Sequence, residues 1–181
     1  MATGTIARKS DHWFKLVDVN GDGRIQKSDL QALGERTLSH FGYDKTSAKG
    51  RRLVEAYERA WVVMVEAIDT DKDQEISKEE FRAYMEGNAD KQNADALLRP
   101  ITDAEFAAAD VDDDGLLSPS EFAELLRAWG LSGTDAEQGA ANIDTNRDGL
   151  ISSEEYFKAC RDFFVVDNLD SRVGKVFGQV K

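Results

Sequence analysis

The amino-acid sequence predicts an all-α protein in which four helix–loop–helix units form two paired lobes, packed into a compact globule. The first observation behind this prediction is an acidic pattern of twelve residues that occurs four times in the 181-residue chain. The second is that apolar residues precede and follow each copy, many of them at helical spacing. Such an internal repeat is typical of an array of similar supersecondary units. Apolar residues make up 41% of the chain, which is enough for a real core.

Helical spacing is clearest over residues 47–68, where apolar side chains recur every three or four residues. Leu53, Trp61 and Ile68 belong to this stripe, which is typical of a helix with one buried face. A weaker stripe over residues 5–17 predicts another helix before the first acidic segment. We expect the aromatic residues on these stripes to form the core.

A polar stretch and a proline separate the two halves of the chain. Pro100 and the N-cap candidate Thr102 predict that a linker over residues 91–101 ends where a new helix begins. We therefore expect an N-terminal lobe over residues 1–90 and a C-terminal lobe over residues 102–181.

Local signals predict the helix boundaries in the C-terminal half. Ser118, Pro119 and Glu121 follow the pattern of an N-cap, a proline in the first turn and a capping box. Gly130 ends that helix, and Thr134 predicts the start of the next one. Apolar residues in the tail predict a short turn that packs back onto the body: Leu169, Val173, Val176 and Phe177.

The four acidic segments cover residues 18–29, 69–80, 110–121 and 144–155. Each places oxygen-bearing side chains at positions one, three, five and twelve, and the main-chain carbonyl at position seven adds another oxygen. Calcium takes six to eight oxygen ligands, so one segment alone can surround the ion. We therefore predict up to four Ca²⁺ sites. The predicted ligands are Asp18, Asn20, Asp22, Arg24, Asp29, Asp69, Asp71, Asp73, Glu75, Glu80, Asp110, Asp112, Asp114, Leu116, Glu121, Asp144, Asn146, Asp148, Leu150 and Glu155.

Two loops deviate from the full pattern, and both lie in the N-terminal half. Asp29 at position twelve is one methylene shorter than glutamate, which favours a smaller ion or ligation by one oxygen. The first site is therefore predicted to tolerate Mg²⁺. Gln74 stands at position six, where a sharp turn favours glycine, so strain should weaken the second site. We expect the C-terminal pair to bind calcium most tightly.

The apolar residue at position eight of each loop predicts how the loops pair. Ile25 should meet Ile76, and Leu117 should meet Ile151, each pair forming a short two-residue β bridge. This pairing would couple two calcium sites within each lobe.

The charge balance limits the classes of partner. Acidic residues number 35 against 23 basic ones, for a net charge of −12, which disfavours nucleic acid and insertion into anionic membranes. Four bound Ca²⁺ ions would change the charge to −4 (−12 + 8). The single cysteine, Cys160, fits a reducing compartment and a buried helix position. Without an apolar signal-peptide run, we expect a cytoplasmic protein. We also expect a monomer.

These loops resemble the calcium loops of EF-hand proteins, and nearly the whole chain is similar to the calerythrin and sarcoplasmic calcium-binding protein group. This resemblance rests on the 51-residue spacing between the first two loop starts, the terminal Asp29, the polar linker and the apolar C-terminal tail. It implies a compact two-lobed fold and non-enzymatic calcium binding. The second loop is degenerate in several calerythrin-like members, whereas residues 69–80 keep all their oxygen side chains.

The resemblance favours an intracellular calcium buffer or signal modulator over two alternatives. A sensor that exposes an apolar surface to a protein target would benefit from many methionines, but the chain has only Met1, Met64 and Met85. A luminophore-binding photoprotein would be expected to use several histidines, and the chain has only His12 and His40. We find no nucleophile–base pair or zinc spacing, so an enzyme is not predicted, and a protein target stays open.

Overall fold

The computed structural model describes residues 4–87, 91–165 and 175–178, and within them the chain forms eight α-helices and one two-stranded sheet. The N-terminal half contains α1 (Gly4–Val17), β1 (Arg24–Ile25), α2 (Lys27–Phe41), α3 (Ala48–Ile68), β2 (Ile76–Ser77) and α4 (Lys78–Gly87). The C-terminal half contains α5 (Lys91–Ala109), α6 (Pro119–Ala128), α7 (Gly133–Ile143) and α8 (Ser153–Val165). The predicted all-α class with four helix–loop–helix units is confirmed. Among the described helices, none is long and apolar enough to cross a membrane.

Both predicted loop pairings are present. β1 and β2 run antiparallel with Ile25 opposite Ile76. Leu117 and Ile151 form an isolated antiparallel bridge, in which each N–H donates to the other residue's carbonyl at 2.8 Å. All four side chains are completely buried, so the bridges join the loops and also anchor them to the core.

The helix that joins the two halves corrects one prediction. The expected linker over residues 91–101 is helical, and Thr102 lies inside α5 instead of beginning a helix. Pro100 also lies inside α5, where proline costs about 3 kcal/mol because it lacks an N–H donor. Leu97 and Ile101 are buried on either side of it. Burying such side chains contributes about 1.5–3 kcal/mol each, which offsets the local penalty.

Helix α5 also connects the cores of the two halves. It packs against α3 on one side and α8 on the other, while α1 packs on α4. Trp13, Trp61 and Trp129 are all buried, as expected for core residues. Trp13 stacks on Phe81, with 5.2 Å between the ring centroids. Cys160 is buried as well, in agreement with its prediction as a structural residue.

The C-terminal tail packs on this core through residues 175–178. Val176 and Phe177 are fully buried. The Phe177 ring lies 5.3 Å from the ring of Phe163 and 6.1 Å from that of Trp129, centroid to centroid. The predicted return of the tail is therefore confirmed for these residues. Two other residues of that prediction lie outside the described residues: Leu169 and Val173.

The tail packs closely against helix α7. A Cβ atom on Gly139 would lie 2.4 Å from the carbonyl oxygen of Val176 and 2.5 Å from Cδ1 of Leu126, so only glycine allows this close approach. The helix begins at Gly133, and the hydroxyl of Ser132 caps it by accepting the N–H of Asp135. The predicted start at Thr134 is therefore corrected by one position, to Gly133, because Ser132 already caps the first turn.

Candidate metal centres

The aspartate at position one organises each loop through hydrogen bonds. Its Oδ2 accepts the backbone N–H of the residue at position six, at 3.0 or 3.1 Å in every loop. These bonds hold the backbone in a tight curl with the other side chains of the loop around it. The four pairs are Asp18 with Gly23, Asp69 with Gln74, Asp110 with Gly115, and Asp144 with Gly149.

The residue at position six has a left-handed backbone in all four loops. Gly23, Gly115 and Gly149 have φ angles of 86°, 85° and 86°. Gln74 has a φ of 68°, so it adopts the same conformation in spite of its side chain. An L-residue in this region costs roughly 1 kcal/mol, which confirms the predicted backbone strain in the second loop.

Both carboxylate oxygens of each glutamate at position twelve accept backbone hydrogen bonds from the loop. Glu80 accepts the N–H of Thr70 at 2.8 Å with Oε1 and the N–H of Ser77 at 2.9 Å with Oε2. Burial acts to raise the pKa of Glu80, but the Ser77 and Thr70 donors outweigh it and hold this pKa at about 2. Equivalent donors outweigh burial at Glu155, with a pKa of about 2, and lower the pKa of Glu121. These groups are therefore ionised and ready for a cation at neutral pH.

Glu121 combines two predicted features. Ser118 caps α6 by accepting the N–H of Glu121, and the Glu121 carboxylate accepts the N–H of Ser118 at 2.8 Å. Pro119 occupies the first turn. The predicted capping box is confirmed, and it presents the same carboxylate toward the loop.

Asp29 closes the first loop differently from the three glutamates. Its Oδ2 accepts the N–H of Gln26 at 2.9 Å, as expected for a capping box. Its Oδ1 reaches the N–H of Asn20 at 3.3 Å, whereas the glutamates bind the N–H one residue earlier at 2.8–3.1 Å. The shorter side chain therefore closes the loop in a different register and with a longer bond.

The carboxylates cluster tightly in the second and third loops. Oxygen atoms of Asp69, Asp71 and Asp73 all lie within 4.8 Å of one another, as do those of Asp110, Asp112 and Asp114. A hydrogen bond from the Asp73 N–H acts to lower the pKa of Asp71, but slight burial and the neighbouring carboxylates together raise it. A divalent cation would relieve this repulsion, and the all-oxygen donor set fits Ca²⁺.

The main chain at position seven is also held in place. In each loop, the carboxylate at position five accepts the N–H at position seven, at 2.8–2.9 Å. This bond fixes the peptide that directly precedes the predicted carbonyl ligand, so it holds the backbone of the same residue in place. The residues concerned are Arg24, Glu75, Leu116 and Leu150.

Two cationic side chains near the loops were not predicted from the sequence. The Arg24 guanidinium lies 3.3 Å from Asp73 and also pairs with Glu75, so it connects the first two loops. Lys49, on α3, reaches the third loop: its Nζ lies 2.7 Å from Asp113 and donates to the carbonyl of Asp110 at 2.5 Å. No sequence pattern indicated this contact, because it joins residues from different halves.

Comparisons with known proteins agree with this geometry. Models of the EF-hand domain pair match residues 100–161 and 58–88, and an EF-hand model matches residues 11–33. Calerythrin of Saccharopolyspora erythraea is 25% identical over 166 residues, covering 90% of this chain and 92% of that protein. A probable calcium-binding protein of Oryza sativa subsp. japonica, CML16, is 33% identical over 153 residues, covering 82% and 76%.

A solved structure extends the likeness to the whole fold. A Streptomyces coelicolor calcium-binding protein, whose structure is described as a structural basis for prokaryotic calcium-mediated regulation, superimposes with a TM-score of 0.82 at 30% identity. The match covers 89% of this chain and 98% of that one. The loops, the pairing and these relatives lead to one conclusion: the chain belongs to the EF-hand family of calcium-binding proteins, as its resemblance to the calerythrin group predicts.

Proposed function

We propose that the chain is a non-enzymatic, intracellular calcium buffer or signal modulator that binds up to four Ca²⁺ ions as a monomer, one ion in each loop. The ligands are the side chains at positions one, three, five and twelve and the carbonyl at position seven. The observation that carries the buffering role is the filled interior between the two halves. There, α1, α2, α3 and α5 converge around a cavity of only about 10 Å³.

This interior opposes the opening that a target-binding sensor requires. Trp13, Tyr57 and Trp129 line the small cavity together with aliphatic side chains from α2 and α5. Burying such an aromatic side chain removes about 150–250 Å² from water, worth roughly 4–6 kcal/mol at 25 cal/mol per Å². Exposing two of them would cost about 10 kcal/mol, which calcium binding would have to supply.

The tail supports the same role from the C-terminal side. Phe177 fills the space beside Trp129 and Phe163, where an external peptide would otherwise dock. His12 on α1 lies 2.6 Å from the carbonyl oxygen of Phe177, so the tail is also held by the N-terminal half. The apolar face is thus occupied by the chain itself.

The four sites should differ in selectivity. The longer 3.3 Å closure by Asp29 supports a first site that tolerates Mg²⁺, and the left-handed Gln74 supports a weaker second site. The third and fourth loops keep glycine at position six and glutamate at position twelve. We propose that this C-terminal pair fills first.

Dye fluorescence tests the buffering role. We expect an apolar dye to bind equally weakly in calcium and in chelator, because the interior stays filled. A large increase in dye binding with calcium would refute the role. Titration in parallel by calorimetry checks that calcium is bound under the same conditions.

An apolar groove on the surface favours the sensor alternative. A groove of about 310 Å³ between α3, α4 and α5 is lined by Val63, Met64, Tyr84 and Leu97, among others. Val62 is 63% exposed on α3. The S. coelicolor relative is associated with calcium-mediated regulation. Calcium-dependent dye binding that disappears in Ala67→Glu, a substitution within the groove, would support a sensor in place of a buffer.

The luminophore alternative needs space that the interior does not provide. Ligand pockets for small organic molecules are typically about 300 Å³ or larger, against about 10 Å³ for the closed cavity between the halves. A more open cleft of about 470 Å³ beside the tail is lined by His12 but not by His40. His40 pairs with Glu124 at 2.7 Å and His12 holds the tail, so the two imidazoles do not converge on the cavity. Tight binding of a coelenterazine-type compound would contradict this conclusion.

A further inference from the structure

A completely buried carboxylate lies between the two halves and takes no part in the calcium loops. Glu105, on α5, is 0% exposed. Its Oε1 accepts the indole N–H of Trp129 at 2.8 Å and the hydroxyl of Tyr57. Its Oε2 accepts the hydroxyl of Tyr156 at 2.5 Å. One carboxylate therefore connects α3 of the N-terminal half with α5, α8 and the end of α6.

Only the ionised form of Glu105 satisfies all three donors. A carboxylate is an acceptor with two oxygens, whereas a protonated carboxyl group adds a donor of its own. Protonation would direct that new hydrogen at a hydroxyl group that is already donating. At least one of Tyr57, Tyr156 and Trp129 would then have to reorient or lose its partner.

The surroundings of Glu105 make protonation accessible near neutral pH. Burial raises the pKa of Glu105 to about 7, against the lowering effect of its Tyr156, Tyr57 and Trp129 donors. The other titratable group facing it is the Cys160 thiol on α8, whose pKa is raised by burial and by Glu105. On α2, the charge of Arg36 acts to lower the pKa of Tyr57, but no hydrogen bond joins Arg36 to either oxygen of Glu105 in the described residues.

The same carboxylate is connected to both C-terminal calcium loops. Glu105 lies five residues before Asp110 on the helix that enters the third loop, about 7.5 Å along the helix axis. Tyr156 directly follows Glu155, which closes the fourth loop. A shift of either contact therefore moves a predicted calcium ligand.

We propose that Glu105 is a positioning residue for the C-terminal calcium pair, and that calcium binding in this pair is coupled to the release of one proton from its carboxyl group. The inference rests on the proposed function, in which these loops bind calcium. Two effects both favour the ionised form of Glu105 when calcium is bound. A nearby divalent cation favours a negative charge, and the ionised carboxylate holds Tyr156, and with it Glu155, in the position that the structure shows.

Calorimetry in buffers of different ionisation enthalpy tests the coupling. For the full chain between pH 6 and 8, we expect proton release on calcium binding and an affinity that rises by about fivefold to tenfold across this range. Histidines generally titrate near neutral pH, so the measurement uses a His12→Gln, His40→Gln background. In Glu105→Gln, the proton release should vanish and the affinity should lose its pH dependence. Proton release that persists in Glu105→Gln would overturn the inference.

Matched variants separate coupling from loss of structure. Glu137→Gln removes a carboxylate that is 72% exposed in the same half and should leave the proton release unchanged. Tyr57→Phe removes one donor and keeps the ring, so the midpoint of proton release should move to higher pH. This variant keeps the test valid if Glu105→Gln fails to fold, and an unmoved midpoint would refute the positioning role. Absence of calcium binding in the unsubstituted chain would instead refute the proposed function.

Discussion

Substituting Gly139 by alanine tests the contact between the tail and α7. A Cβ at this position would lie 2.4 Å from the carbonyl oxygen of Val176 and 2.5 Å from Leu126 Cδ1. The Leu126 side chain has some freedom to rotate, but the Val176 carbonyl belongs to the tail backbone. The tail must therefore move away from α7 or remain strained.

The expected cost follows from two independent estimates. Overpacking a well-filled site typically costs about 1–3 kcal/mol. Complete release of the tail instead loses the burial of Val176 and Phe177, at about 1.5–3 kcal/mol each. The structural response with the lower free-energy cost should prevail, so Gly139→Ala should lower the free energy of unfolding by about 1–3 kcal/mol. Without this steric conflict, replacing glycine by alanine in a helix would be expected to raise the free energy of unfolding.

Urea unfolding in saturating calcium measures this free energy. Gly133→Ala is the matched control, because Gly133 begins the same helix and no atom lies within 4 Å of its added Cβ. The control should be unchanged or slightly more stable, by at most about 1 kcal/mol. If Gly139→Ala is as stable as Gly133→Ala, the described packing of the tail is wrong.

Three further predictions concern the loops and the buried carboxylate. Asp29→Glu should restore closure by a longer side chain and shift selectivity toward Ca²⁺ over Mg²⁺ by about tenfold, measured by competition calorimetry; an unchanged ratio would reject the role of Asp29. Gln74→Gly should remove left-handed strain and increase the free energy of unfolding in calcium by about 1 kcal/mol, and no gain would mean that Gln74 is unstrained. The folded pKa of Glu105, about 7, lies above the ordinary 4.5, so its contribution to stability is complete below pH 4.5 and is lost as the pH rises through 7. In chelator, the stability of the unsubstituted chain should fall by about 3 kcal/mol more than that of Glu105→Gln over this range, and parallel profiles would contradict the raised pKa.

The calcium loops were largely predictable because their chemistry is local. Alternating oxygen side chains, a turn at position six and an apolar position eight lie within twelve residues, so spacing alone predicted the bridge between Ile25 and Ile76. The left-handed backbone at Gln74 followed from the same register. These features depend on short-range geometry, which the order of residues specifies.

The connection between the halves was harder to predict because it depends on tertiary packing. Pro100 is a strong local signal for a boundary, yet burial on both sides of it keeps α5 continuous. Lys49 meets the third loop only after α3 and α5 pack together. The burial of Glu105 could have been predicted from one feature of the sequence, because Glu105 follows Ile101 by four residues and so lies on the same, buried face of α5.

Hydrogen–deuterium exchange across a calcium titration tests the central proposal most directly, that calcium fills the four loops while the apolar interior stays closed. We predict that peptides covering residues 18–29, 69–80, 110–121 and 144–155 gain protection as calcium is added. The segments of α3 and α5 that line the cavity should keep their slow exchange throughout. Faster exchange of these helices in calcium, or loops that gain no protection, would contradict the proposal.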